Sequence, residues 1–212
     1  MYVPHPSQEL QALFARKPYQ GADPSTATFL FVGLDANYDP SVESTPSFSS
    51  IAEYHEDGVA FWRSYGVHHP FLLPSYRGDG RRYHLNFSRI GFAPSHAHLV
   101  SFVELLHVPT VGRSQLAAGD LSFSHLRQLN SLIRTGNAQH IFVSAGVTLL
   151  MRESGAFPWL PKKPLTSGTL PVLHREGGRT VYSHLHFSNY GKFQQQLEAE
   201  ARAIHFLLPR AG

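Results

Sequence analysis

The chain contains no cysteine. Disulfides, thiolate zinc sites and iron–sulfur clusters are thereby excluded together, and any chemistry must use oxygen and nitrogen groups. No stretch approaches the roughly 18 uncharged apolar residues that a membrane span requires. The N-terminal MYVPHPSQEL also lacks the basic-then-apolar order of a signal peptide. The expectation is a cytoplasmic protein with no membrane partner. No internal repeat is visible. Histidine is abundant, at 14 residues, but His68-His69, His96-x-His98 and His184-x-His186 all lack the i, i+4 helical spacing of a metalloprotease pair. No metal is expected.

What is present fits one domain over residues 1–212, with 42% hydrophobic residues to build a core. The formal net charge is +3, and the excess lies in loop-like segments such as RGDGRRYH (Arg77 to His84) and WLPKKP (Trp159 to Pro164). That balance suits a polyanionic partner and equally a solvated basic face, and Lys162 and Lys163 read as the latter.

Hydrophobic spacing predicts an amphipathic helix over residues 7–17, capped by Ser7, with Leu10, Leu13 and Phe14 on one face. ATFLFVG is a continuous apolar run, the pattern of a strand covered on both faces in a parallel sheet. SFSSIAEYHEDGVAFWRSYGV is helical in tendency, and Pro70, Pro74, Gly78 and Gly80 mark a loop. HLVSFVELL (His98 to Leu106) reads as a second strand. DLSFSHLRQLNSLIRTG (Asp120 to Gly136) reads as a helix ending at glycine, and QHIFVSAG (Gln139 to Gly146) as a further strand. An extended pair around Gly177-Gly178 leads to a last strand near His186, and residues 192–208 close the chain as a helix. The alternation predicts an α/β fold of three layers, with a central, mostly parallel sheet and helices on both faces.

Two polar segments follow strands: GLDANYDP after the first and HFSNYGKF (His186 to Phe193) after the last. Open α/β sheets bind ligands outside the carboxyl ends of their strands. The first segment is neither a dinucleotide fingerprint nor a P-loop, for it has a single glycine.

In this order the two segments resemble the signature motifs of the uracil-DNA glycosylase superfamily. There the first strand ends in Gly-x-Asp/Asn and the last in His/Asn-x-Ser, matched here by Gly33-Leu34-Asp35 and His186-Phe187-Ser188. Phe48 stands about where that family carries the aromatic that stacks on the extruded base. Phe61-Trp62 and VPT (Val108 to Thr110) look like landmarks of the mismatch-specific branch, and the resemblance spans roughly residues 27–206.

The resemblance implies a DNA glycosylase that works as a monomer on a damaged or mismatched base, with no cofactor. Breaking an N-glycosidic bond builds positive charge on the sugar and negative charge on the departing base. Asp35 takes the role of the anion that stabilises the first and orients water, and His186 the donor to the second. Because the base must leave the duplex stack, Phe48 supplies a platform. Tyr190 takes the place of the family's apolar wedge, and Ser188 and Lys192 lie beside it as DNA contacts. Base recognition calls for polar groups on the pairing edge. Asn86, in YHLNFSRIGF, resembles an asparagine that some branches carry in a leucine-rich strand, whereas the VPT landmark makes HLVSFVELL that strand and Ser101 the facing residue. Ala36 and Asn37 replace the family's Pro and Tyr or Gly, which sets Asn37 among the base-facing residues, and Phe187 and Asn189 replace residues that are commonly Pro and Pro or Gly. Two alternatives stay open: a nucleic-acid-binding protein of the same fold without turnover, and a small-molecule hydrolase or transferase, because fold does not fix function.

Overall fold

A computed structural model describes residues 2–112 and 115–209. In chain order the elements are β1 (Val3–Pro4), α1 (Gln8–Arg16), β2 (Tyr19–Gly21), β3 (Phe29–Asn37), α2 (Phe48–Glu56), α3 (Gly58–Tyr65), α4 (Arg81–Ser88), β4 (Val100–Val111), α5 (Phe123–Thr135), β5 (His140–Ser144), α6 (Ala145–Glu153), β6 (Val172–Glu176), β7 (Arg179–His184) and α7 (Gln194–His205). Short 3-10 turns connect several of them.

The protein is a three-layer α/β fold around a seven-stranded sheet. Strands β4, β3, β5 and β7 run parallel in that spatial order. The edges are antiparallel: β6 returns on β7 through the Gly177-Gly178 turn, and the long β4 pairs with β2 along one part and with β1 along another. Chain order thus steps from β3 outward to β4, then back across β3 to β5 and β7. Such a reversal leaves a crevice at the carboxyl edge of the sheet.

Side-chain alternation makes the two faces chemically different. Leu30, Val32, Val103, Ile141 and Val143 form an aliphatic face packed under Leu126, Leu129 and Ile133 of α5 and Val147, Leu150 and Met151 of α6. Phe29, Phe31, Phe102 and Phe142 form an aromatic face covered by Trp62 of α3, Phe87 of α4 and Leu197, Ala201 and Ile204 of α7. A third cluster joins Leu10, Leu13 and Phe14 of α1 to Tyr38, Phe48, Ile51, Phe71 and Tyr76.

Local chemistry explains the helix ends. Ser7 caps α1 by accepting from the Leu10 amide at 3.0 Å, and Ser122 caps α5. The helical stretch after Ser47 divides at Asp57, whose carboxylate accepts from the Val59 and Ala60 amides and so begins α3. Gly58 follows because β2 passes close by: a methyl group there would lie 2.8 Å from Gly21 Cα. The YHLNFSRIGF segment is helical, in α4, so Asn86 does not stand on a strand. Among the described residues no helix is long and apolar enough to cross a membrane.

Candidate active site

A cavity of about 430 Å³ opens at the carboxyl edge of the parallel strands, on the aromatic side of the sheet. Its walls come from Gly33 to Pro40 at the end of β3, Phe102 and Glu104 of β4, Tyr83 and His84 of α4, Phe71 and Tyr76 of the preceding loop, and His186 and Ser188 beyond β7. The volume lies within the range of small-ligand pockets.

Asp35 is held by a threonine. Where β3 and β4 separate, the two-residue step Asp35 to Asn37 of β3 is matched to the four-residue step Leu106 to Thr110 of β4. Pro109 lies inside this irregularity, where its missing amide breaks no ladder bond. The bulge brings the buried Thr110 to Asp35, and its hydroxyl donates to Asp35 Oδ2 while accepting from Asn37 Nδ2 at 3.1 Å. Asn37 donates to the Gly112 carbonyl as well.

His186 enters from the opposite side, and its loop is anchored at both flanks. The Leu185 amide donates to buried Glu200 of α7 at 2.8 Å. The Asn86 amide donates to the carbonyls of Phe187 and Asn189. His186 Nδ1 accepts from the Ser188 amide at 3.3 Å and lies 2.6 Å from Ser188 Oγ. An Nδ1 that accepts these bonds places the neutral ring's proton on Nε2. Burial lowers the His186 pKa from its ordinary value, and the Asp35 charge partly opposes that shift. The imidazole is therefore neutral at pH 7, with an N–H donor available.

The far wall is unusual in composition. His69 and His84 stack at 3.6 Å with ring planes 7° apart, and His68 Nε2 lies 3.2 Å from His84 Nδ1. Burial drives all three down, His84 to about 3, with mutual repulsion contributing for His68 and His69. His69 and His84 thus give the cavity a neutral, aromatic wall, and His68 contacts His84 without lining the cavity. Phe71 and Tyr76 stack next to them at 4.2 Å, and burial raises the Tyr76 hydroxyl to about 12. Among the described residues, no group of three or more His, Asp or Glu side chains could hold a metal ion.

Of the residues expected from sequence, Asp35, Asn37, His186 and Ser188 meet at the cavity, although nearly the whole sheet separates them in the chain. Three base-facing candidates lie elsewhere. Phe48 is buried in the cluster built on α1 and α2 and does not line the cavity, whereas Phe71 and Tyr76 of the same cluster do. Asn86 has its amide engaged by the His186 loop. Ser101 is fully buried near the start of β4, paired with Leu30 and Gly21 at the other end of the strand from the cavity. Tyr190 is 66% exposed and stacks beneath Arg82, whose guanidinium carbon lies 4.3 Å from the ring centre. Lys192 lies over Phe193.

Glu104, Thr110, His69 and His84 were given no site role from sequence, although Thr110 ends the VPT landmark. Glu104 had a signal, as a lone acid in the apolar run SFVELL, because an ionisable group in a buried strand needs a reason to be there. Comparison with protein-family models, with curated proteins and with solved structures finds no match to this chain.

Proposed function

We propose that the protein is a DNA glycosylase that hydrolyses the N-glycosidic bond of uracil or a related deaminated or mismatched base. The observation that carries this reading is the meeting of a carboxylate, Asp35, and a neutral imidazole, His186, across one base-sized cavity at the carboxyl edge of the sheet. In the proposed reaction Asp35 faces the sugar as it becomes cationic and orients the attacking water, whose proton it receives. His186 Nε2–H donates to the oxygen of the departing base, where the glycosidic electron pair is delocalised. The base, turned out of the stack, lies against the aromatic surface of Phe71 and Tyr76. Tyr190, projecting outside the cavity, fills the vacated stack, and Arg82, Arg81 and Lys192 near it meet phosphates.

A second reading has its own support. Among the described residues, Asp35, Asp39, Asp79 and Glu104 line the cavity and no Lys or Arg does. Such an acidic interior suits a neutral or cationic small glycoside as well as it suits a base. The test is to incubate the protein with labelled single- and double-stranded oligonucleotides carrying uracil, hypoxanthine, xanthine or mismatched thymine, and then to cleave abasic sites with alkali. Cleavage at a lesion supports the glycosylase. Inactivity on every oligonucleotide, with hydrolysis of free nucleosides, favours the small-molecule reading.

A further inference from the structure

Glu104 has no part in the chemistry assigned to Asp35 and His186, yet the fold makes specific room for it. Its register partner on β3 is Gly33. A methyl group on Gly33 would stand 2.0 Å from Glu104 Oε2 and 2.6 Å from its carboxyl carbon. The glycine of the first strand-end motif is therefore the floor on which the Glu104 carboxyl rests. Oε2 is buried and has no hydrogen-bond partner among the described residues, although the side chain lines the cavity. A buried polar atom left unpaired costs stability, so an oxygen with no partner among the described residues, on a side chain that lines a cavity, points to a ligand.

The groups around it decide its form. Asp35 faces the cavity from β3, Tyr38 and Asp39 from the segment just after it, Tyr54 from α2, His69, Tyr76 and Asp79 from the loop after α3, Tyr83 and His84 from α4, and His186 from beyond β7. On the opposite side of the sheet, His125 of α5 bonds the Glu104 backbone carbonyl at 2.8 Å. Among the described residues no Lys or Arg lines the cavity, and burial lowers the pKa values of its histidines, His69, His84 and His186. Burial, and secondarily the charge of Asp35, hold the Glu104 carboxyl well above the usual carboxylate range.

We infer that Glu104 grips the pairing edge of the bound base as a neutral acid, donating its O–H to a ring carbonyl and accepting from the adjacent N–H. A protonated carboxyl carries a donor beside an acceptor. That is the complement of a lactam edge, the N–H next to C=O that deamination leaves on uracil and hypoxanthine. A carboxylate presents acceptors alone and would repel the carbonyl. The inference rests on the glycosylase reading for its ligand, and it gives the recognition role to β4 at a residue other than Ser101.

The experiment compares wild type, Glu104→Gln and Glu104→Ala in excision of uracil from single-stranded DNA between pH 6 and 10. Calorimetry of free uracil and 3-methyluracil, which lacks the N3–H of the pairing edge, runs in parallel. Glutamine keeps a donor beside an acceptor, so E104Q should stay within about tenfold of wild type, whereas E104A should lose about a hundredfold or more. Wild-type activity should fall along an alkaline limb as Glu104 ionises, and E104Q should lack it; ionisation of uracil itself would affect both. Uracil should bind in preference to 3-methyluracil. Full activity of E104A, or an unchanged alkaline limb in E104Q, overturns the role of Glu104 while leaving the glycosylase intact. If no oligonucleotide is cut but uracil binding depends on Glu104, the glycosylase reading fails and the recognition role stands. Neither cleavage nor uracil binding by the wild type overturns both. Should E104A fail to fold by circular dichroism, the pH profile of E104Q still decides.

Discussion

The hydroxyl of Thr110 bonds Asp35 across the gap where β4 bulges away from β3, and the same oxygen accepts from Asn37. One fully buried threonine therefore fixes the position of both polar residues at the strand end. It acts through Asp35, as a positioning residue. Thr110→Val keeps the shape and removes the hydroxyl, so excision should fall about tenfold or more through kcat with KM little changed. Thr110→Ser should restore most of the rate, which a purely steric role would not allow. Steady-state kinetics on uracil-containing oligonucleotides measure both.

Asp35→Asn preserves size and the bond from Thr110 but removes the negative charge facing the sugar. Excision should drop by about two to three orders of magnitude while DNA affinity is retained. Single-turnover rates with parallel gel-shift titrations separate the two effects. An unchanged rate would make Asp35 a loop residue and end the proposed mechanism.

Tyr190 should matter only when a base must be pulled from a duplex. Tyr190→Ala is expected to slow excision from double-stranded DNA by about tenfold or more, and to leave single-stranded substrate nearly unaffected, because an unpaired base needs little help leaving its stack. Arg82→Ala, which removes the cation over the Tyr190 ring, should weaken binding to all sequences alike and reduce the steepness of its salt dependence. Equal losses on both substrate forms would remove Tyr190 as the wedge.

The buried histidine cluster predicts an acid-sensitive fold. His68, His69 and His84 are held neutral in the folded state, their pKa values lowered first by burial. The unfolded chain binds protons near the ordinary histidine value of about 6.5, which the folded chain resists. Stability is then greatest above about pH 6.5 and falls as the pH drops toward the folded values, by up to about 1.4 kcal/mol per histidine per pH unit. Urea unfolding at pH 7.5, 6.5 and 5.5 should show this decline, and His84→Phe, which keeps a ring in the stack, should make it shallower. A pH-independent midpoint between 7.5 and 5.5 would contradict the arrangement.

The sequence by itself determined the elements whose residues signal locally. The run ATFLFVG, the capped helix behind Ser7 and the Gly177-Gly178 turn each specify their own geometry, since burial on both faces, an N-cap bond and a tight reversal involve neighbours in the chain. The alternation of such elements also implied a parallel sheet, and hence that Asp35 and His186 would lie at one edge of it. Sequence could not say what else reaches that edge. Phe48 and Phe71 are alike as residues and share one cluster, and only packing decides that the second also reaches the cavity wall while the first does not. Asn86 stands in a segment without a strong period, and its partners, Phe187 and Asn189, are a hundred residues distant. Glu104 and Thr110 gain their places from the register of β4 against β3, in which a glycine lies opposite one and a bulge returns the other to Asp35. A strand's register is a property of the pair and not of either segment, and shifting it by one residue reverses every side chain. For that reason the ends of the strands were legible in the chain, and the composition of the cavity between them was decided by tertiary structure.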